Sequence, residues 1–362
     1  MSPSSPLSIL GIDYIELLVG NSKQTCRYFE AMGFRAIAYR GLETGVRSVA
    51  SRCLASGQLR LMVSSPLLPD DSNSRHICRH GDGVRDVGFL VQDAKAAYAH
   101  AMSRGATSAA EPLTHESESG SITTASIVAL ADTLHSFVSR SGTPDAWLPG
   151  FRPLDAGQGA ALINAVDHIA LAVDRGELGR QVSFYRDVMG FTEMGLTALS
   201  SIKGQHSALM STVVEDGNGK IKFPIMEPAT GPRKSQIGEF LDYYGTAGVQ
   251  HVAFHTPRVV DTINAMQQGG IGILSMSPDY YDGVAEQVPE VAMEVDQLRR
   301  TSVIVDKDED GFLLQAFTEP FHDRPTLFFE LIERHGSRGF GAGNVKHLFE
   351  AVERDQAARG NL

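Results

Sequence analysis

Cysteine is scarce in this 362-residue chain, and the three present, Cys26, Cys53 and Cys78, form no Cys-x-x-Cys pair. An odd number at irregular spacing excludes a disulfide framework and a cysteine-based zinc site, and suits free thiols in a reducing cytosol. Long apolar runs are also missing, so no transmembrane helix is expected. The opening MSPSSPL lacks the basic start and apolar stretch of a secretory signal, and a cytoplasmic protein is the expectation. Positive charge is in deficit, with 32 Lys and Arg against 43 Asp and Glu and a net charge of -11. A nucleic-acid or anionic-membrane partner is therefore not expected, because phosphate would be repelled. An anionic small molecule still fits if a metal ion supplies the local positive charge. The balance of 42% hydrophobic and 21% charged residues is that of a globular protein.

What the chain has in abundance is repetition. A short alternating strand, an amphipathic helix and a Gly-containing stop recur. They read IDYIELLV then CRYFEAMGF near Asp13, and VRDVGFLV then AAYAHAMSRGA near Asp86. They return as VDHIALAV then VSFYRDVMGF near Asp167, and VQHVAFHT then TINAMQQGGI near Gln250. Each unit reads as βα followed by further strands, such as IKFPIMEP and VIVDKDEDGFLLQAF, the latter with a tight reversal at Asp306–Gly311. Two units make a half, and the Pro/Gly-containing stretch Thr143–Ala160 reads as the linker between halves. The expected domains are 1–150, without metal ligands, and 151–362, carrying the site. A last amphipathic helix is expected over Asn344–Gly360.

Aligning the halves exposes the chemistry. Tyr14 takes the place of His168, Asp86 that of His251, and Phe137 that of Glu330. One half thus carries two His and one Glu at matched strand positions, and the other carries none of that set. Two imidazoles and a carboxylate on one face, with other positions open, is the arrangement of oxygen-activating Fe(II) sites. Zn(II) hydrolysis uses similar ligands and is the competing metal reading, although no His-Glu-x-x-His places a general base beside the metal. A lone strand histidine is more often a hydrogen-bonded core residue. His135 and His206 could lie near the pocket, whereas His76, His80, His255 and His347 read as surface or loop residues.

The second half resembles the 4-hydroxyphenylpyruvate dioxygenase and 4-hydroxymandelate synthase family of the vicinal oxygen chelate superfamily. The resemblance rests on KSQIGEFLDYYGTAGVQHVAF (Lys234–Phe254), DEDGFLLQAFTEP (Asp308–Pro320), DRPTLFFELIERHGSRGFGAGN (Asp323–Asn344) and the closing RGNL. It implies an α+β fold of paired βαβββ modules, the C-terminal half an open barrel around iron, closed by the last helix. It implies Fe(II) held by His168, His251 and Glu330, with an aryl-pyruvate and O2 as reactants and oligomeric state left open. It further implies that Gln236, Gln250 and Gln315 orient substrate and oxygen, that Ser211 and Asn344 supply nearby polar groups, and that Phe317, Phe328 and Phe340 form aromatic walls.

Two departures bear on the product. The homogentisate-forming enzymes read Pro-Ile-Asn-Glu-Pro where this chain has Pro224-Ile225-Met226-Glu227-Pro228, and have Phe where it has Val345. The mandelate-forming enzymes carry aliphatic residues at both places. Pro224, Asp323-Arg324-Pro325 and the RGNL ending look like the homogentisate branch instead. The reading leans to benzylic hydroxylation, with homogentisate formation the alternative. An extradiol catechol dioxygenase and a ligand-sequestering module without turnover are the rival functions.

Overall fold

In the computed structural model, the four alternating segments of the sequence become the two central strand pairs of two sheets. The structure describes residues 7–142, 147–155, 161–194, 200–203, 208–341 and 343–361, with the side chains of 200–203, 345 and 346 excepted. His206 and the side chain of Val345 therefore lie outside the described residues.

The first half runs β1 (Ile9–Leu18), α1 (Ser22–Ala31), β2 (Arg35–Arg40), β3 (Val49–Ser56) and β4 (Leu59–Pro66). It continues with α2 (Ser72–His80), β5 (Gly83–Val91), α3 (Ala94–Ser103), β6 (Thr107–Ser117), β7 (Gly120–Leu130), β8 (Thr133–Gly142) and β9 (Arg152–Pro153). The second half runs β10 (Ala165–Ala172), α4 (Leu178–Asp187), β11 (Thr192–Glu193), β12 (Ser200–Lys203), β13 (Ala208–Glu215), β14 (Lys222–Pro228), α5 (Gln236–Tyr244) and β15 (Gly248–His255). After these come α6 (Val259–Gln268), α7 (Val284–Gln287), α8 (Val295–Thr301), β16 (Ile304–Lys307), β17 (Phe312–Phe317), β18 (Phe328–His335) and α9 (Val345–Ala358).

The two sheets share one plan. The first is ordered β6-β7-β8-β5-β1-β4-β3-β2-β9 and the second β11-β13-β14-β10-β15-β18-β17-β16, with β12 against β13. In each, an antiparallel central pair (β1–β5, β10–β15) is flanked by parallel neighbours, β4 and β8 or β14 and β18. This is the α+β arrangement of the vicinal oxygen chelate fold, with one of the two sheets curling into a half-barrel. Among the described residues, no helix is long and apolar enough to cross a membrane.

Period-2 alternation sorts the side chains into three cores. Outer faces and helices of both halves share one large cluster, in which Phe29 of α1 packs edge-on to Phe329 of β18 at 5.4 Å. Each inner face encloses a smaller cluster of its own. Inside the first sheet lie Tyr14, Met62, Val138, Leu148 and Phe151; inside the second lie Ala170, Ala172, Leu209, Met226 and Phe349.

The expected linker is only partly a linker. Leu148 and Phe151 are buried inside the first sheet, and Arg152–Pro153 pairs with β2. A Pro/Gly-rich sequence hides this, because apolar plugs need no periodicity. The reversal at Asp306–Gly311 is present between β16 and β17, where Asp308 accepts from the amides of Asp310 and Gly311. Its other oxygen accepts from Ser337 Oγ and the Gly339 amide, tying the hairpin to the turn that carries Phe340. Gly311 cannot be replaced there, since a Cβ would collide with the His335 carbonyl oxygen.

Candidate metal centre

The inner face of the central strands brings His168, His251 and Glu330 together from β10, β15 and β18. His168 Nε2 lies 3.3 Å from His251 Nε2 and 3.3 Å from Glu330 Oε2, and His251 Nε2 lies 3.5 Å from the same carboxylate oxygen. Bonds of about 2.1 Å to a single ion span such separations. The donor set therefore fits one divalent cation of the kind that accepts imidazole and carboxylate.

Each histidine is aimed by its own chain neighbour. His168 Nδ1 donates to Asp167 Oδ1 at 2.9 Å, and His251 Nδ1 donates to Gln250 Oε1 at 2.6 Å. Adjacent strand residues normally face opposite ways, but the β10–β15 register shifts between Val166 and His168 and again between Ala170 and Leu171. The two irregularities fall at Asp167 and opposite Gln250, which lets each orienting group reach its neighbour's ring. Arg334 then holds Asp167 with two bonds of 2.6 and 2.8 Å. Fixing Nδ1 in this way points Nε2 of both rings toward the centre.

The charges reinforce the arrangement. Burial opposes a charged His168, but Glu330 and the Asp167 hydrogen bond outweigh it and lift the imidazole to about 9. Burial and then the His168 charge push His251 well below its usual value. Burial alone would raise the Asp167 carboxyl, yet Arg334 and His168 hold it far below the usual range.

The same scaffold recurs in the first half with different residues. Register pairs Gly88 with Ser136 where the second half pairs Ala253 with Glu330. The counterpart of Glu330 is therefore Ser136, not the Phe137 read from sequence. One residue of slip turns a side chain to the other face, and Phe137 sits fully buried in the outer core. Tyr14 Oη donates to Asp86 at 2.7 Å and Ser136 Oγ donates to the same oxygen at 2.5 Å. Arg140 clamps Asp13 at 2.6 and 2.9 Å as Arg334 clamps Asp167. Trp147 meets Tyr14 edge-on at 5.6 Å as Phe340 meets His168 at 5.1 Å. The first half keeps the frame and lacks the donors.

Comparison with known proteins agrees over nearly the whole chain. Residues 4–147 match the model described as hydroxyphenylpyruvate dioxygenase, N-terminal, and residues 165–316 match the glyoxalase/bleomycin resistance protein/dioxygenase superfamily. The 4-hydroxyphenylpyruvate dioxygenase of Dictyostelium discoideum is 38% identical, covering 97% of this chain and 100% of its own. That of Caenorhabditis elegans is 39% identical over 98% of this chain and 94% of its own. The chain belongs to the 4-hydroxyphenylpyruvate dioxygenase family. A solved structure of a triple-substituted 4-hydroxymandelate synthase from Streptomyces coelicolor superimposes with a TM-score of 0.86 at 30% identity, covering 96% of this chain and 99% of that one.

Of the other residues that the family resemblance marks, Phe340 and Phe328 lie against the donor rings. Phe328 stacks on His251 at 5.0 Å, and Phe317 meets Phe328 at 6.3 Å. Gln250 Nε2 reaches Gln236 Oε1 at 3.5 Å, and these two amides with Phe328 border a cavity of about 40 Å³ beneath α9. A larger cleft of about 650 Å³, beside Ala129 and Gln181, lies away from the donors. Gln315 is buried under Gly341, whose φ of 71° and lack of Cβ allow the amide to within 2.5 Å of where a Cβ would be. Asn344 is buried, accepts from Tyr280 Oη at 2.9 Å, and leaves Nδ2 without a partner among the described residues. Ser211 pairs in register with Met226, two places along from buried Pro224, on the same inner face.

The last helix spans Val345–Ala358. Phe349 enters the inner core beside Met226, and Arg359 and Asn361 both bind the buried Glu239 carboxylate at 2.7 Å. Arg359 and Asn361 thus pin α9 onto α5.

Two expectations fail. His135 is not near the donors: it is buried between the halves, 2.9 Å from Tyr185 Oη. His76 and His80 are buried rather than exposed, because α2 packs on the second half. The orienting pair Asp167–Arg334 carried no local signal, since its members lie 167 residues apart.

Proposed function

We propose that this chain is an Fe(II)-dependent oxygenase that converts 4-hydroxyphenylpyruvate, or a related aryl-pyruvate, and O2 into a hydroxylated arylacetate and CO2. Carrying the reading is the His168–His251–Glu330 donor set, buried at the head of an inner face lined by Phe317, Phe328 and Phe340. Bound there, the ion would supply a binding point for both the 2-oxo acid and O2, removing the cost of bringing them together. The carboxyl carbon leaves as CO2, one oxygen atom enters the new carboxylate, and the other hydroxylates the same molecule, so no second 2-oxo acid is consumed.

The protein's own groups do the rest. Gln236, Gln250 and Gln315 orient the polar end of the substrate, and the three phenylalanines hold its ring. Asn344 offers its free amide Nδ2, and Ser211 a hydroxyl. The pinned α9 excludes water, which keeps oxidation on the substrate.

For the product, the reading is benzylic hydroxylation to a 2-hydroxy-2-arylacetate. Met226 presents a thioether within an apolar group of Ala170, Ala172, Leu209 and Phe349. No amide stands there to hold a phenol, and a ring without a para hydroxyl leaves none unpaired. Ring hydroxylation to homogentisate is the second reading, favoured by the 38% and 39% whole-chain identities to 4-hydroxyphenylpyruvate dioxygenases. Anaerobic loading with Fe(II), addition of O2 with 4-hydroxyphenylpyruvate or phenylpyruvate, and product identification by mass spectrometry and NMR decide between them. Absence of CO2 release from either acid would overturn the proposal.

A further inference from the structure

A second cluster of metal-ligand type lies far from the first in sequence and owes nothing to it. One ring nitrogen each of His76 and His80 and one carboxylate oxygen of Asp132 lie within 4.8 Å of one another. The histidines stand four apart on α2, which puts both rings on one helix face, 4.4 Å between centroids. Asp132 comes from the turn between β7 and β8, where Ala131 is forced to a φ of 46°.

The hydrogen bonding is arranged as for a ligand site. His80 Nδ1 donates to the Tyr244 carbonyl at 2.6 Å, which points Nε2 at Asp132 Oδ2, 2.9 Å away. Two lone pairs at that separation require a positive charge, either a proton on the ring or a cation shared with its neighbours. The Nε2 of His76 is buried and has no hydrogen-bond partner among the described residues, an orphan that a metal ion would satisfy. Arg79 also reaches Asp132, at 3.5 Å, but its side chain is largely exposed and free to turn away.

We propose that His76, His80 and Asp132 form a second divalent-cation site, of the imidazole-preferring class that includes Zn2+, which clamps α2 to the β7–β8 turn. Solvent beside the half-exposed Asp132 supplies the fourth position. The clamp sits where the halves already meet: His80 binds the end of α5, and Arg324 donates to the carbonyls of Arg79 and Cys78. A bound ion would fix α2 and the β7–β8 turn relative to one another.

The test is the zinc content of the full-length protein after Zn2+ loading and gel filtration, read beside its thermal unfolding. Wild type should carry two ions per chain, Asp132→Ala one, Glu330→Ala one, and the double variant none. In Glu330→Ala, Zn2+ should raise the unfolding midpoint, and this rise should vanish when Asp132→Ala is added. His76→Gln gives the same loss without touching the contact to Tyr244. Because the two sites are emptied by different substitutions, failure of the principal reading would leave one ion that Asp132→Ala removes. Full zinc content in Asp132→Ala and in His76→Gln would overturn the clamp.

Discussion

Tyr14 stands in the first half where His168 stands in the second, each on an inner face beside an arginine-clamped aspartate, and only His168 faces groups that can share a metal. The pairs Asp13–Arg140 and Asp167–Arg334 are the same device in the same place, yet only one orients a donor. Asp167→Asn should weaken Fe(II) binding by about 10- to 100-fold while the protein stays folded. Asp13→Asn should leave iron affinity unchanged. Equilibrium iron titration of the two variants checks this, and equal affinities would remove the orienting role.

The polar remnant in the first half carries a pH signature. Burial raises Glu16 to about 7, with the Ser64 hydrogen bond, Arg40 and Arg85 opposing and Asp86 adding to the rise. A carboxyl whose folded value lies above its unfolded one favours the folded state at low pH, and that advantage is lost as pH climbs from about 4.5 to 7. Glu16→Gln, which stays neutral, should therefore gain stability relative to wild type at pH 8. The gain is at most about 3 kcal/mol and less with solvent screening. At pH 4 the two should differ little. Denaturant unfolding at both pH values measures it, and a pH-independent difference would count against the buried-carboxyl account.

The terminal helix should matter for coupling rather than for metal binding. Deleting the residues after Asn344 should preserve Fe(II) binding while O2 consumption outruns product formation. Glu239→Gln, which weakens the hold on Arg359 and Asn361, should show a smaller effect in the same direction. The ratio of O2 consumed to CO2 released reports it. A ratio of one in the truncated protein would show that α9 seals nothing.

Product choice needs little energy to change. A tenfold shift in ratio corresponds to about 1.4 kcal/mol, within reach of one hydrogen bond to a ring hydroxyl. Met226→Asn combined with Val345→Phe should move products of 4-hydroxyphenylpyruvate toward ring hydroxylation by about tenfold. Phenylpyruvate, lacking the hydroxyl, should show no such shift. Chromatographic product ratios for the two substrates make the comparison, and an equal shift in both would exclude the hydrogen-bond explanation.

Much of this was legible in the chain itself. The alternating segments announced β1, β5, β10 and β15, and their alignment singled out His168, His251 and Glu330 because the other half offers a built-in reference. The alignment slipped where β8 met β18, since two similar apolar strands match almost equally well one residue apart, and only the ladder distinguishes Ser136 from Phe137. Asp167–Arg334 and the Glu239 pin were invisible because pairing across more than a hundred residues leaves no spacing to read. The burial of His76 and His80 depends on contact between halves, which no local pattern encodes.

The most direct measurement takes anaerobically Fe(II)-loaded wild type and Glu330→Ala, adds 4-hydroxyphenylpyruvate and O2, and follows bound iron, O2 uptake and CO2 release together. Wild type should hold one active-site iron per chain and release one CO2 for each O2 consumed. Glu330→Ala should fold normally, retain little iron and release no CO2. Undiminished coupled turnover in Glu330→Ala would contradict the three-residue iron site on which the proposed function depends.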